Sequence, residues 1–195
     1  MAEQSLPRRR VLAGLVALPL GAALARLVPA RAGTGTLAAT PACDDDPTPK
    51  QTEGPYWTAD SPERNDFTGD GAPCQRMTLT GTVVDTACQP VPGTLLDFWQ
   101  CDGNGVYDNE GYKLRGHQFT DDKGAFRLTT VKPGLYPGRT RHFHVKVRRP
   151  GGDVLTTQLY FPGEPANKAD GIYRPELEMT VSETGDASFT FVVEK

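Results

Sequence analysis

A single all-β sandwich domain is the fold this 195-residue sequence predicts, on three observations. Glycine and proline are abundant, 21 and 17 residues, which suits a turn-rich β protein better than a helical one. Short apolar runs with partial or strict alternation recur between turn signals over the C-terminal two-thirds of the chain. After the N-terminal segment there is no convincing helical periodicity. The length suits one domain with a proper core.

In chain order, residues 1–32 read as an export signal. Arg8, Arg9 and Arg10 precede an apolar run from Val11 to about Ala25, and Ala30-Arg31-Ala32 has the small-x-small form of a cleavage site. The Arg8-Arg9 pair is of the twin-arginine type, whose route carries folded proteins. The run is short for a membrane span and is interrupted by Gly14, Pro19 and Gly21, so no stable span is expected after cleavage. The expected location is therefore periplasmic or extracellular. Residues 33–50 read as a Gly/Thr/Ala/Pro-rich linker, and the domain proper is expected over 51–195.

The first stretch of that domain, Gln51 to Trp57 (QTEGPYW), is too rich in glycine-proline and aromatics for a linker and reads as an ordered arm. Met77–Asp85 and Gly93–Gln100 are expected strands. A glycine-rich loop, CDGNGVYDN, follows with Tyr107 inside it, and GYKLRGHQFTDDKG shows little periodicity. Ala125–Val131 alternates cleanly, and Pro133-Gly134 ends it. Val154–Phe161 is another strand, 162–175 an irregular loop, and LEMTVSE with ASFTFVVE a closing hairpin about Thr184-Gly185-Asp186.

Charge and cysteines narrow the function classes. Residues 1–32 carry five arginines and one glutamate, a net of +4, which leaves −7 for the rest of a chain whose total is −3. An acidic body with one short basic stretch, Arg139 to Arg149, argues against nucleic-acid binding. Cys43, Cys74, Cys88 and Cys101 suit an exported protein with disulfides, in any of three connectivities. They have no C-x2-C spacing, which speaks against a zinc site.

The chemistry is concentrated in GLYPGRTRHFHVKV, Gly134 to Val147. On a strand, His142 and His144 share one face while Phe143, Val145 and Val147 share the other. Two adjacent imidazoles make half a metal site; taken alone, the pair fits a solvated polar face equally well. Tyr136 lies just upstream in a turn that could fold it back. A phenol titrates near 10, so only a strongly Lewis-acidic ion such as ferric iron holds it as phenolate at neutral pH. Zinc more often takes a carboxylate or thiolate. Spacing alone does not single out Tyr107.

From Gln51 to about Phe161 the chain resembles the intradiol ring-cleavage dioxygenases, in particular short exported members without a helical N-terminal domain. Four segments carry the resemblance in order: TEGPYW, LTGTVVDTACQPVPGTLLDFWQCDGNGVYD, TDDKGAFRLTTVKPGLYPGRTRHFHVKV and TTQLYFPGEP. The resemblance implies a non-haem Fe3+ cofactor held by Tyr107 (from W-x7-Y, starting at Trp99), Tyr136 (from PG-x-YP), His142 and His144. It implies a small aromatic diol and O2 as substrates, and ring opening between the two hydroxylated carbons to a cis,cis-muconate-type product. Tyr136 is then ligand and base, Arg139 (from R-x-x-H) stabilises charge, and Gln158 (from TTQ) assists. Gly54, Pro55, Tyr56, Trp99, Arg139 and Gln158 are the implied substrate-pocket residues.

Arg141 departs from the small residue usual at its position, which puts the pocket rim in question, and it could bind a carboxylate. His117 matches no family ligand and reads as structural or solvent-facing. Asp97 shares a strand face with Trp99 but lies outside the ligand set. Met77 to Gln100 alone would also fit a secreted transthyretin-like β-sandwich binding module without catalytic activity. The oligomeric state is not legible in the sequence.

Overall fold

The computed structural model describes residues 46–70 and 74–195. Eight strands follow in order: β1 Arg76–Asp85, β2 Leu95–Trp99, β3 Arg115–Phe119, β4 Ala125–Val131, β5 His142–Arg148, β6 Val154–Tyr160, β7 Thr180–Val181 and β8 Ala187–Val193. Two single 3-10 turns, Pro165–Lys168 and Pro175–Leu177, interrupt the loop between β6 and β7. The leader and residues 33–45 of the linker lie outside the described residues, as does Cys43. Among the described residues no helix is long and apolar enough to cross a membrane.

The strands form two four-stranded sheets, β4-β1-β8-β7 and β3-β2-β5-β6. All neighbours are antiparallel except β1 and β8. The inner faces meet in one core, because each strand sends alternate apolar residues the same way. Leu79 and Val83 come from β1, Leu96 and Phe98 from β2, and Phe126 and Leu128 from β4; all are buried. Phe143, Val145 and Val147 join them from β5, Leu155 and Leu159 from β6, and Phe191 from β8. Phe98 touches Phe126 across the two sheets, with ring centroids 5.8 Å apart. Each such side chain stabilises the fold by about 1.5–3 kcal/mol through burial.

One strand was not legible as such. In β3, Arg115 and Gln118 are buried polar residues, and Gly116 supplies no side chain at all. A Cβ on Gly116 would come within 2.8 Å of Arg64 and 2.9 Å of Phe67, so the arm packs where a side chain would otherwise stand. The strand's apolar contacts are thus made through its backbone and by its neighbours.

The outer face of β3-β2-β5-β6 is not bare. Residues 51–64 run over it, and the segment reaches the other sheet at its two ends, Thr48 at β8 and Asn65 and Phe67 at β4. Thr48 exchanges hydrogen bonds with Val192, its N–H donating at 2.9 Å and its Oγ1 accepting at 2.8 Å. Gln51 N–H donates to Thr156 O at 2.8 Å, and Trp57 Nε1 to Asp97 Oδ2 at 3.0 Å. Ser61 Oγ donates to Asp97 Oδ1 at 2.7 Å. The expected ordered arm therefore exists, and ordering begins before Gln51.

Candidate metal centre

Strand alternation puts His142 and His144 on the covered outer face of β5 and its apolar residues in the core. Pairing builds a row across that face: Arg115 opposite Trp99, Trp99 opposite His144, His144 opposite Gln158. His142 lies opposite Tyr160. Both histidines are buried, each 3 % exposed.

Their Nε2 atoms stand 3.1 Å apart, and the Tyr107 hydroxyl is 3.3 Å from His142 Nε2. Nδ1 of His142 donates to Thr140 O at 2.6 Å, so its Nε2 turns a lone pair toward the same point. His144 is stacked against Trp99, centroids 4.8 Å apart and planes 8° from parallel, which fixes its ring. Its Nδ1 is buried without a partner, and Gly54, with φ +73°, passes close enough that a Cβ would lie 3.5 Å from the ring.

Tyr107 arrives from the loop between β2 and β3, which aspartates build. Asp102 accepts the N–H groups of Asn104 and Val106, at 2.8 and 2.9 Å. Asp108 accepts those of Glu110, Gly111 and Lys113. The loop is clamped to the Tyr136 turn, since Gly134 N–H donates to Asp102 O at 2.7 Å. Gly105, at φ +82°, is where the turns touch; a Cβ there would stand 2.2 Å from Leu135 O. Tyr136 sits edge-on to Tyr107, centroids 5.8 Å apart, and its hydroxyl is 2.7 Å from that of Tyr56. Tyr56 stacks on Tyr107 at 4.5 Å. Arg115 holds this part of the arm by donating to Tyr56 O and Asp108 O.

Arg139 closes the other end. Its Nε donates to Asp170 Oδ2 at 2.8 Å and an Nη nitrogen to Gln158 Oε1 at 2.6 Å. Gln158 Nε2 donates to Thr52 O at 2.9 Å, tying the site to the arm.

Burial sets the protonation states. It drives the His142 imidazole down to about 4 and His144 well below its ordinary value, helped by the charge of Arg139. It pushes the Tyr107 phenol well up. The Tyr56 phenol is raised by its hydrogen bond to Tyr136. Neutral imidazoles are what a metal ligates, and a nearby trivalent ion reverses the cost of a buried phenolate. Among the described residues no three His, Cys, Asp or Glu side chains gather. The converging donors are phenols and imidazoles, a set that fits a hard, highly charged ion.

The structure thus brings Tyr107, His142 and His144 into direct contact, places Tyr136 against Tyr107, and sets Trp99, Tyr56, Gly54, Arg139 and Gln158 around them. Pro55 is exposed at the arm's turn. Arg141 is not available as a carboxylate receptor: its Nε donates to Glu164 at 3.0 Å and its Nη1 to Pro133 O. His117 pairs with Asp97 in register, its Nδ1 3.2 Å from Ser61 Oγ, which fits a structural role. Asp170 and Arg115 were missed. They lie in an irregular loop and in the strand without periodicity, and no sequence signal marks them. Cys88 is disulfide-bonded, whereas Cys74 and Cys101 are free.

A family model described as Dioxygenase matches residues 52–191. The dioxygenase domain of a dioxygenase carbohydrate-binding protein fusion from the cellulolytic bacterium Streptomyces sp. SirexAA-E superposes with TM-score 0.74 and 52 % identity. That alignment covers 76 % of this chain and 99 % of the other. Catechol 1,2-dioxygenase of Pseudomonas sp. (strain EST1001) is 31 % identical over 148 residues, 60 % of this chain and 48 % of the relative. Hydroxyquinol 1,2-dioxygenase of Rhodococcus opacus is 30 % identical over 164 residues, 71 % of this chain and 54 % of the relative. The chain spans about half the length of these two curated relatives.

Proposed function

The chain belongs to the intradiol ring-cleavage dioxygenase family, and on that premise we propose that it is a non-haem Fe(III) dioxygenase acting on a catechol-type diol. One diol and one O2 give one cis,cis-muconate-type diacid, both oxygen atoms being retained. The observation that carries this reading is that His142 Nε2 lies 3.3 Å from the Tyr107 hydroxyl and 3.1 Å from His144 Nε2, with Tyr136 beside Tyr107.

Tyr107, Tyr136, His142 and His144 would hold the ion. When bound, it supplies a Lewis acid and a template for both diol oxygens. Thr140 O and the Trp99 ring orient the imidazoles. Tyr136 is the ligand best placed to become a base. It comes from a turn of its own, and its phenolic oxygen already has a hydrogen-bond partner in Tyr56 at 2.7 Å. That oxygen would take a diol proton, and Tyr56 would share the hydrogen bond. Arg139, steadied by Asp170, stabilises negative charge developing on the diol ring, with Gln158 beside it. The arm from Thr52 to Trp57 shields this chemistry from water.

A binding module would leave these inward donors without a purpose. Export is part of the same proposal: the leader motif and the disulfide at Cys88 both suit an oxidising compartment. The test is oxygen uptake with catechol and mass analysis of the product made under isotopically labelled O2. Two labelled atoms in a ring-opened diacid are expected; one labelled atom, or a product opened outside the diol carbons, contradicts the proposal.

A further inference from the structure

The arginines around this site are already committed. Arg139 is held by Asp170 and Gln158 at 2.8 and 2.6 Å. Asp170 cannot swing away, because it is buried and its two oxygens also accept the N–H groups of Thr140 and Ile172, at 2.9 and 3.1 Å. Arg115, 2 % exposed, donates to the backbone carbonyls of Tyr56 and Asp108. Arg141 is engaged by Glu164 and Pro133 O. A carboxylate brought to the Arg139 end would leave water and meet the fixed charge of Asp170 beside the guanidinium. Burying a charge without a partner is unfavourable.

A second observation points the same way. Val106 and Leu135, which immediately precede the two tyrosines, are apolar and 62 % and 51 % exposed. Their loops touch at Gly105.

We infer that Asp170, by engaging the Nε edge of Arg139 so that the guanidinium can steady partial charge on a ring but not receive a second full carboxylate, restricts the site to uncharged diols, whose ring bears hydrogen or apolar substituents and no carboxylate. The inference rests on the dioxygenase reading above and adds the substrate class and its determinant. Repelling a carboxylate from an occupied guanidinium corresponds to roughly tenfold or more in kcat/KM.

The iron-loaded full chain is assayed by oxygen uptake with dihydroxybenzoate, its uncharged amide and methylcatechol, and by anaerobic calorimetric binding of the same three compounds. The two neutral diols are expected to exceed the carboxylate by about tenfold or more in kcat/KM and in affinity. Asp170→Asn, which keeps one accepting oxygen and removes the charge, is expected to narrow the gap several-fold through better use of the carboxylate. Equal or better use of dihydroxybenzoate by the wild type overturns the inference and leaves the dioxygenase reading standing. A gap unchanged in a folded Asp170→Asn variant overturns the role of Asp170. No uptake with any diol by iron-loaded protein overturns the dioxygenase reading, and the inference with it. The wild-type comparison decides the substrate class whether or not the variant folds.

Discussion

Tyr56 and Tyr136, eighty positions apart in sequence, meet through their hydroxyls at 2.7 Å. The contact joins the arm to the turn that carries a proposed ligand. It gives the Tyr136 hydroxyl a hydrogen-bond partner. Tyr56→Phe should therefore keep its iron, because Tyr56 is not a donor to the ion. It should lose roughly tenfold in kcat, less than the roughly 10²–10⁴-fold of a group that moves the proton itself, because Tyr56 acts through Tyr136. Iron content and steady-state rates check this; a variant that loses its iron would instead make Tyr56 a structural support of the ligand set.

His142→Ala should abolish iron binding. It removes one imidazole and the Nδ1 contact to Thr140 O at 2.6 Å. Loss of one metal donor weakens binding far more than loss of a supporting partner, which costs about 10–100-fold. Metal analysis after dialysis reads the outcome.

Asp97 separates anchoring from ligation. Its two oxygens accept hydrogen bonds from Trp57 and Ser61, at 3.0 and 2.7 Å, and in register it pairs with His117 and Lys146, not with His142 or His144. Asp97→Ala should keep iron and colour while destabilising the fold by about 1–3 kcal/mol, the cost of leaving buried donors unpaired. A lower melting temperature and faster proteolysis near Trp57, with unchanged iron, are expected.

Metal-free protein should lose stability in acid through its histidines. Burial lowers His142 from an ordinary 6.5 to about 4. Unfolded chains then take up the proton first, so stability is intact above about pH 6.5 and falls as the pH drops toward 4. His142 alone accounts for about 3 kcal/mol across that window. Urea midpoints of the metal-free wild type against pH measure it; a flat profile between pH 7 and 4 contradicts the burial described for this ring.

Much of this arrangement was legible because strand alternation is a strict rule. It put His142 and His144 on one face and Phe143, Val145 and Val147 in the core, where they lie. The arm at QTEGPYW was legible from its composition, though its contacts with Asp97 and Thr156 were not. Tyr107 was reachable only through family resemblance. Its position depends on a loop built by Asp102 and Asp108 side chains and on the touching of Gly105 and Leu135, which no periodicity encodes. β3 escaped notice because Gly116 and Arg115 break the alternation that marks a half-buried strand. Asp170 escaped because its role exists only once the loop after β6 folds back onto Arg139.

The central claim is that two phenols and two imidazoles of this chain hold one ferric ion. Iron stoichiometry measured together with the visible absorption spectrum of wild type and Tyr107→Phe tests it most directly. The account predicts about one iron per chain and a red-brown tyrosinate-to-iron charge-transfer band that is lost or shifted in the variant. A colourless wild type with a full complement of iron would contradict it.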